Sequence, residues 1–232
     1  MSLRGVLLDL DDTLGDHRDA ELAAWAVNLA TLRERFPAID EGDLRARYTE
    51  AVPRHYPRLA RGEVDLRGYW RARLADAIEP WGVADDELFE RYVAVKQRQW
   101  EGIQPRPGLD DLLTGLRAAG LRLGLLTNGP SDLQRRKIGR LALTHRLDAI
   151  AISGEIGAAK PDAEAYERAL TLLGTRAGET AMVGDDRVND IDGALAAGLL
   201  RAVWLIDEEV TDIPAGAAVA RSLRDVPRAL GL

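Results

Sequence analysis

Gly5-Val6-Leu7-Leu8-Asp9-Leu10-Asp11-Asp12-Thr13-Leu14 is the stretch on which the fold turns. A short, continuous apolar run reads as a strand. This one delivers three carboxylates into a single chain turn, which makes a poor core and a good place to hold a divalent cation. Acid crowded at a strand end is costly without counter-charge. The rest of the chain should therefore bring cations to it.

Working outward, the pattern from about His17 to Trp100 is helical. Leu22, Trp25, Ala26, Leu29, Leu32 and Phe36 fall on one helix face, as do Leu66, Tyr69, Trp70, Leu74 and Ile78 after a candidate N-cap at Asp65. A third stripe follows Asp85 through Leu88, Phe89, Tyr92 and Trp100, and a shorter helix is expected from Asp43 to Glu50. Four helices, each with one apolar face, form one expected unit. Its aromatic residues read as core.

At Gln104-Pro105-Arg106-Pro107-Gly108 the texture changes, because two prolines and a glycine end helical continuity. Strands are then expected at Arg122 to Thr127, Ala149 to Ser153, Thr180 to Val183 and Ala202 to Ile206. They alternate with helices at about Leu109 to Ala119, Ser131 to Leu141, Asp162 to Leu173 and Val188 to Ala197. The first strand, Gly5 to Leu10, has no partner in the helical segment and most economically joins this parallel sheet. The expected division is residues 1–15 with 104–232 as an α/β core, and 16–103 as an inserted helical domain.

Composition narrows the function. The 232 residues include no cysteine, which excludes disulfides, thiolate metal sites and cysteine nucleophiles. A formal net charge of -7 disfavours a nucleic-acid groove as the main surface. No stretch approaches the roughly 20 apolar residues of a membrane span, and no leader pattern opens the chain. The expectation is a cytoplasmic protein acting on a small molecule, with no nucleic-acid or membrane partner. The sequence pattern leaves oligomeric state open.

In an open parallel sheet, ligands bind beyond the carboxyl ends of the strands. Past the expected strands lie Asp9-Leu10-Asp11-Asp12-Thr13, then Thr127-Asn128-Gly129, then Gly154-Glu155 with Lys160-Pro161, then Gly184-Asp185-Asp186 with Asn189-Asp190. In this order, these segments resemble the four motifs of the haloacid dehalogenase superfamily of aspartate-nucleophile hydrolases. The helical insertion resembles that superfamily's small helical cap. Leu126-Thr127-Asn128-Gly129, followed by Gln134 and Lys137, looks most like the branch containing N-acylneuraminate-9-phosphatase and the pyrimidine nucleotidases.

The resemblance implies a Rossmann-like three-layer core with an inserted four-helix cap, an aspartyl-phosphate intermediate and dependence on Mg2+. Asp9 would be nucleophile and metal ligand. Asp11 would be acid/base through its carboxyl and a metal ligand through its carbonyl. Asp185 would complete the metal set, with Asp190 supporting it. Thr127, Asn128 and Lys160 would hold the phosphoryl group. Cations must neutralise both partners before a carboxylate can approach a phosphate dianion. Asp11 separates the chemistries: loss of an alkoxide needs a proton, whereas departure of a halide does not. The substrate expected is a small phosphorylated metabolite, a sugar phosphate or nucleoside monophosphate. A sugar phosphomutase and a noncatalytic phosphate-binding protein are the alternatives.

Other polar clusters have plainer readings. Asp186 to Gly193 lacks the ligand spacing and terminal glutamate of a calcium loop. Arg135, Arg136, Lys137 and Arg140 read as a solvated helix face. His17 and Arg18 follow the acidic turn, where a contact with substrate is the alternative to an exposed hinge. His55 and His145 read as surface or packing residues.

Overall fold

A computed structural model describes residues 2–16, 18–60 and 62–232, giving backbone alone at residues 60, 100 and 101. The chain forms two compact units, Met1–Asp16 with Gln104–Leu232, and His17–Ile103.

The first unit is built on six parallel strands: β1 (Gly5–Leu8), β4 (Arg122–Thr127), β5 (Ala149–Ile152), β6 (Thr180–Gly184), β7 (Arg201–Leu205) and β8 (Ala217–Ala220), in the order β5-β4-β1-β6-β7-β8. Its remaining strands, β2 (Gly15–Asp16) and β3 (Gln104–Pro105), pair antiparallel as a two-residue ribbon. Val6, Leu7 and Leu8 of β1 are wholly buried, which explains why the central strand is apolar throughout. The register pairs Leu8 with Leu125 on one side and Val183 on the other, so β6 runs one residue and β4 two residues past the end of β1.

Helices cover the sheet. These are α6 (Leu109–Ala118), α7 (Ser131–Arg140), α8 (Ser153–Ile156), α9 (Ala163–Leu173), α10 (Gly193–Ala196) and α11 (Val226–Leu230). A tight π-type turn at Arg187–Asp192 precedes α10 where an ordinary helix start was expected. Asp186 caps this turn by accepting the N–H of Asn189 at 2.7 Å. The expected α/β arrangement is thus the observed one, with a sixth strand in the sheet and with the β2–β3 ribbon and helices α8 and α11 added. Nothing announced β8, since its Ala217-Ala218-Val219-Ala220 is small, short and partly exposed.

The second unit holds α1 (Arg18–Arg35), α2 (Glu41–Glu50), α3 (Val52–Ala60), α4 (Leu66–Ile78) and α5 (Asp86–Glu101). This is one helix more than the four that the pattern indicated. Helix α3 follows α2 after a single residue and carries Pro53 and Pro57, so its composition reads as a break. Aspartates start three of the helices: Asp40, Asp65 and Asp85 accept the N–H groups of Asp43, Gly68 and Leu88 at 2.7–2.9 Å. Leu29, Leu32, Leu44, Trp70, Leu74, Ile78 and Phe89 form the buried core. Leu22, counted on the apolar stripe, is 59% exposed. The side chain of Trp100 and the whole of His17 lie outside the described residues. No described helix is long and apolar enough to cross a membrane.

Candidate active site

The neighbouring carboxyl ends of β1, β4 and β6 set the site. Directly past β1, Asp9 is fixed by its N–H, which donates to Val183 O at 2.9 Å. Lys160 reaches it from the loop between α8 and α9, with Nζ 2.6 Å from Asp9 Oδ1 and 2.5 Å from Asp190 Oδ1. All three residues are nearly cut off from water. Asp190 projects from the π-type turn, and its second oxygen accepts the Asp186 N–H at 3.1 Å.

Gly184, the last residue of β6, explains how Asp190 fits. A Cβ there would lie 2.2 Å from the Asp190 carboxyl carbon, so any side chain would evict the carboxylate. Asp185 follows, with Thr13 Oγ donating to its Oδ1 at 3.1 Å and Trp204 Nε1 donating to its carbonyl at 2.8 Å. Oxygens of Asp9, Asp185 and Asp190 converge to within 4.8 Å of one another.

The electrostatics follow from burial. Burial pushes the Asp9 carboxyl up to about 7, with Asp190 and Asp11 adding to the rise and Lys160 opposing it. Asp185 is pushed up to about 7 by burial first, then by Asp9 and Asp12. Burial raises Asp190 as well, against the pull of Lys160. Burial alone would lower the Lys160 ammonium, but Asp190 and Asp9 outweigh it and hold the lysine charged. Among the described residues no lysine or arginine pairs with Asp185. Three carboxylates around one ammonium leave a negative excess that one divalent cation would neutralise. The all-oxygen donor set suits Mg2+.

On the other side of β1, the Asp11 carboxylate accepts from Lys137 Nζ at 2.7 Å and from Gln134 Nε2 at 2.9 Å. Gln134 Nε2 also donates to Thr127 Oγ1 at 2.6 Å, at the end of β4. Asn128, expected at the phosphoryl group, has its side chain on the backbone of Lys160, Nδ2 donating to the carbonyl at 2.8 Å and Oδ1 accepting the N–H at 2.9 Å. Both halves of its amide are thereby engaged, and Asn128 shapes the loop that presents Lys160. The Lys160-Pro161 peptide is cis.

Lys137 is a correction. It does not share the solvated face of α7 but is buried at 6% exposed, as is Gln134 one turn away at 1%. Arg135 does point outward, to Glu155. A signal for this was present: Leu133, Gln134, Lys137 and Ile138 recur at helical spacing and define the buried face. Thr13 also went unassigned, although its hydroxyl sits on Asp185.

Comparison with known proteins identifies the family. A family model for haloacid dehalogenase-like hydrolases matches residues 3–198. The phosphoserine phosphatase of Thermus thermophilus is 44% identical over 142 residues, 60% of this chain and 55% of that protein, so the match spans about half of that relative. Human N-acylneuraminate-9-phosphatase is 29% identical over 88% of this chain and 82% of its own. Among solved structures, the HAD-hydrolase YfnB of Bacillus subtilis, bound to magnesium, shares the fold with a TM-score of 0.72, 24% identity and complete coverage of both chains. With four of its six parallel strands and its acidic strand end in the matched region, the chain belongs to the haloacid dehalogenase-like hydrolase family.

Proposed function

We propose that this protein is a Mg2+-dependent phosphomonoester hydrolase that works through an aspartyl-phosphate at Asp9 on a small sugar phosphate or nucleoside monophosphate. The observation that carries this reading is the contact of Asp9 Oδ1 with Lys160 Nζ at 2.6 Å, beside the converging Asp185 and Asp190 carboxylates. A nucleophilic carboxylate needs such cationic company before a phosphate can approach. The phosphatase names of the relatives support the same reaction class.

Asp9, Asp185 and the carbonyl of Asp11 would hold the metal, with Asp190 fixed by Lys160 as support. Bound there, Mg2+ would offset the carboxylate charge and polarise the phosphoryl oxygens. Asp9 Oδ attacks phosphorus as the bond to the leaving oxygen breaks. Asp11 gives its proton to that oxygen. In the second half, Asp11 takes a proton from water as the water oxygen attacks phosphorus, which releases phosphate and restores the Asp9 carboxylate. Lys160 and the Thr127 hydroxyl bind phosphoryl oxygens throughout.

The test is a phosphate-release screen over sugar phosphates, nucleotides and small organic phosphates with Mg2+, run with Asp9→Asn in parallel. The reading expects turnover of at least one class and a loss of about 10⁴-fold or more in the variant. Robust turnover by Asp9→Asn would overturn the nucleophile assignment. An isomerised sugar phosphate without free phosphate would indicate a mutase, and tight phosphate binding with no turnover a binding protein.

A further inference from the structure

Two side chains without a part in that reaction converge on Asp11. Gln134 and Lys137 lie one turn apart on α7 and so share a helix face. Lys137 takes one oxygen of the Asp11 carboxylate at 2.7 Å, and Gln134 takes the other at 2.9 Å. Burying a lysine and a glutamine costs solvation free energy that apolar residues on the same face would avoid. A reason for their presence is therefore required.

Hydrogen-bond chemistry supplies one. Once Asp11 has given up its proton the carboxylate only accepts, and the amide nitrogen of Gln134, not its oxygen, faces it. That nitrogen carries two hydrogens. One serves Asp11 Oδ2, and the other serves Thr127 Oγ1 at 2.6 Å. Thr127 is thereby an acceptor toward Gln134, and its own hydroxyl hydrogen is left to point elsewhere.

We propose that Gln134 and Lys137 are positioning residues that clamp the Asp11 carboxyl for proton transfer, and that Gln134 ties it to the Thr127 hydroxyl so that the acid/base and a phosphoryl-binding donor are set together. This rests on the reading of Asp11 as acid/base. The clamp acts through Asp11, so its removal should be felt most where proton donation to the leaving group is most needed.

The experiment compares kcat/KM for 4-nitrophenyl phosphate, whose leaving group departs without much help, with that for an alkyl phosphate, whose alkoxide needs a proton. This constant reads the steps through leaving-group departure. Lys137→Met is expected to lower kcat/KM for the alkyl ester by about 30- to 100-fold and for the aryl ester by less than about 3-fold, and Gln134→Met to show the same alkyl bias on top of a loss common to both esters, because it also holds Thr127. Lys137→Arg should restore most of the loss, and Asp11→Asn should show the same bias toward the alkyl ester. Each substitution is an independent test should the other fail to fold, as judged by its melting curve. Equal losses on the two esters, or none, overturn the clamp. If Asp11→Asn shows the bias and the clamp variants do not, the clamp alone fails. If Asp11→Asn shows no bias, the acid/base reading fails and takes the clamp with it.

Discussion

In the sheet unit, Asp9, Lys137, Lys160 and Asp190 are buried charged residues, and all of them belong to one connected region beyond β1, β4 and β6. In the helical unit, the described buried polar residues are Asn28, Thr31 and Gln99, none of them charged. Burying charge is costly, and a fold that serves only packing avoids it. The helical unit does so, placing its arginines over rings instead: the Arg73 guanidinium lies 3.7 Å from the Tyr48 ring centroid and that of Arg71 4.0 Å from that of Phe89. Concentrated buried charge thus separates the unit built for chemistry from the unit built for packing.

The comparison breaks most visibly at Lys160. Lys160→Met should lower kcat by about 10³-fold or more while the protein stays folded, because the carboxylates around it can relax by taking up protons. Near-normal turnover would mean that the buried charge is structural. Phe89→Ala is the reciprocal change. It should destabilise the helical unit by about 3–5 kcal/mol in denaturant titration and leave turnover of an aryl phosphate within a few-fold at temperatures where the variant is folded.

Acidity sharpens the contrast further. Asp9 and Asp185 have folded pKa values of about 7 against the usual 3.8. The metal-free folded protein therefore holds more protons than the unfolded chain between those values. The stability from these groups is fully present below pH 3.8 and is lost as pH rises through about 7. Mg2+ takes the deprotonated carboxylates, so the increase in Tm that it produces should grow from about pH 5.5 to about pH 8, by the linkage of metal binding to deprotonation. An increase that is the same at both would place the cation elsewhere. The smallest effect is expected at Asp148, which accepts the Leu123 N–H at 2.7 Å and pairs with Arg117 at the opposite end of β4. Asp148→Ala should cost about 1 kcal/mol of stability with turnover unchanged.

How far the sequence could be read follows the same division. The strand carrying Asp9 was legible because an apolar run ending in acid is a local pattern, and the segments that bear Thr127, Lys160 and Asp185 each carry their own short signal. The clasp of Asn128 on Lys160 was not legible, because its amide bonds to backbone 32 residues away. Lys137 was misread because a run of basic residues suggests solvent. Only the rotation of α7, fixed by Leu133 and Ile138, turns Lys137 inward while Arg135 stays out. Prolines hid α3, and small residues hid β8.

The central claim is that Asp9 carries the phosphoryl group. Asp11→Asn, which should slow the second half-reaction, can be mixed with 4-nitrophenyl phosphate and Mg2+, quenched in acid, reduced with borohydride and mapped by peptide mass spectrometry. The account expects conversion of residue 9 to homoserine, the reduction product of an aspartyl phosphate. Turnover in the unmodified protein with no such conversion at position 9, or with conversion at another carboxylate, would contradict it.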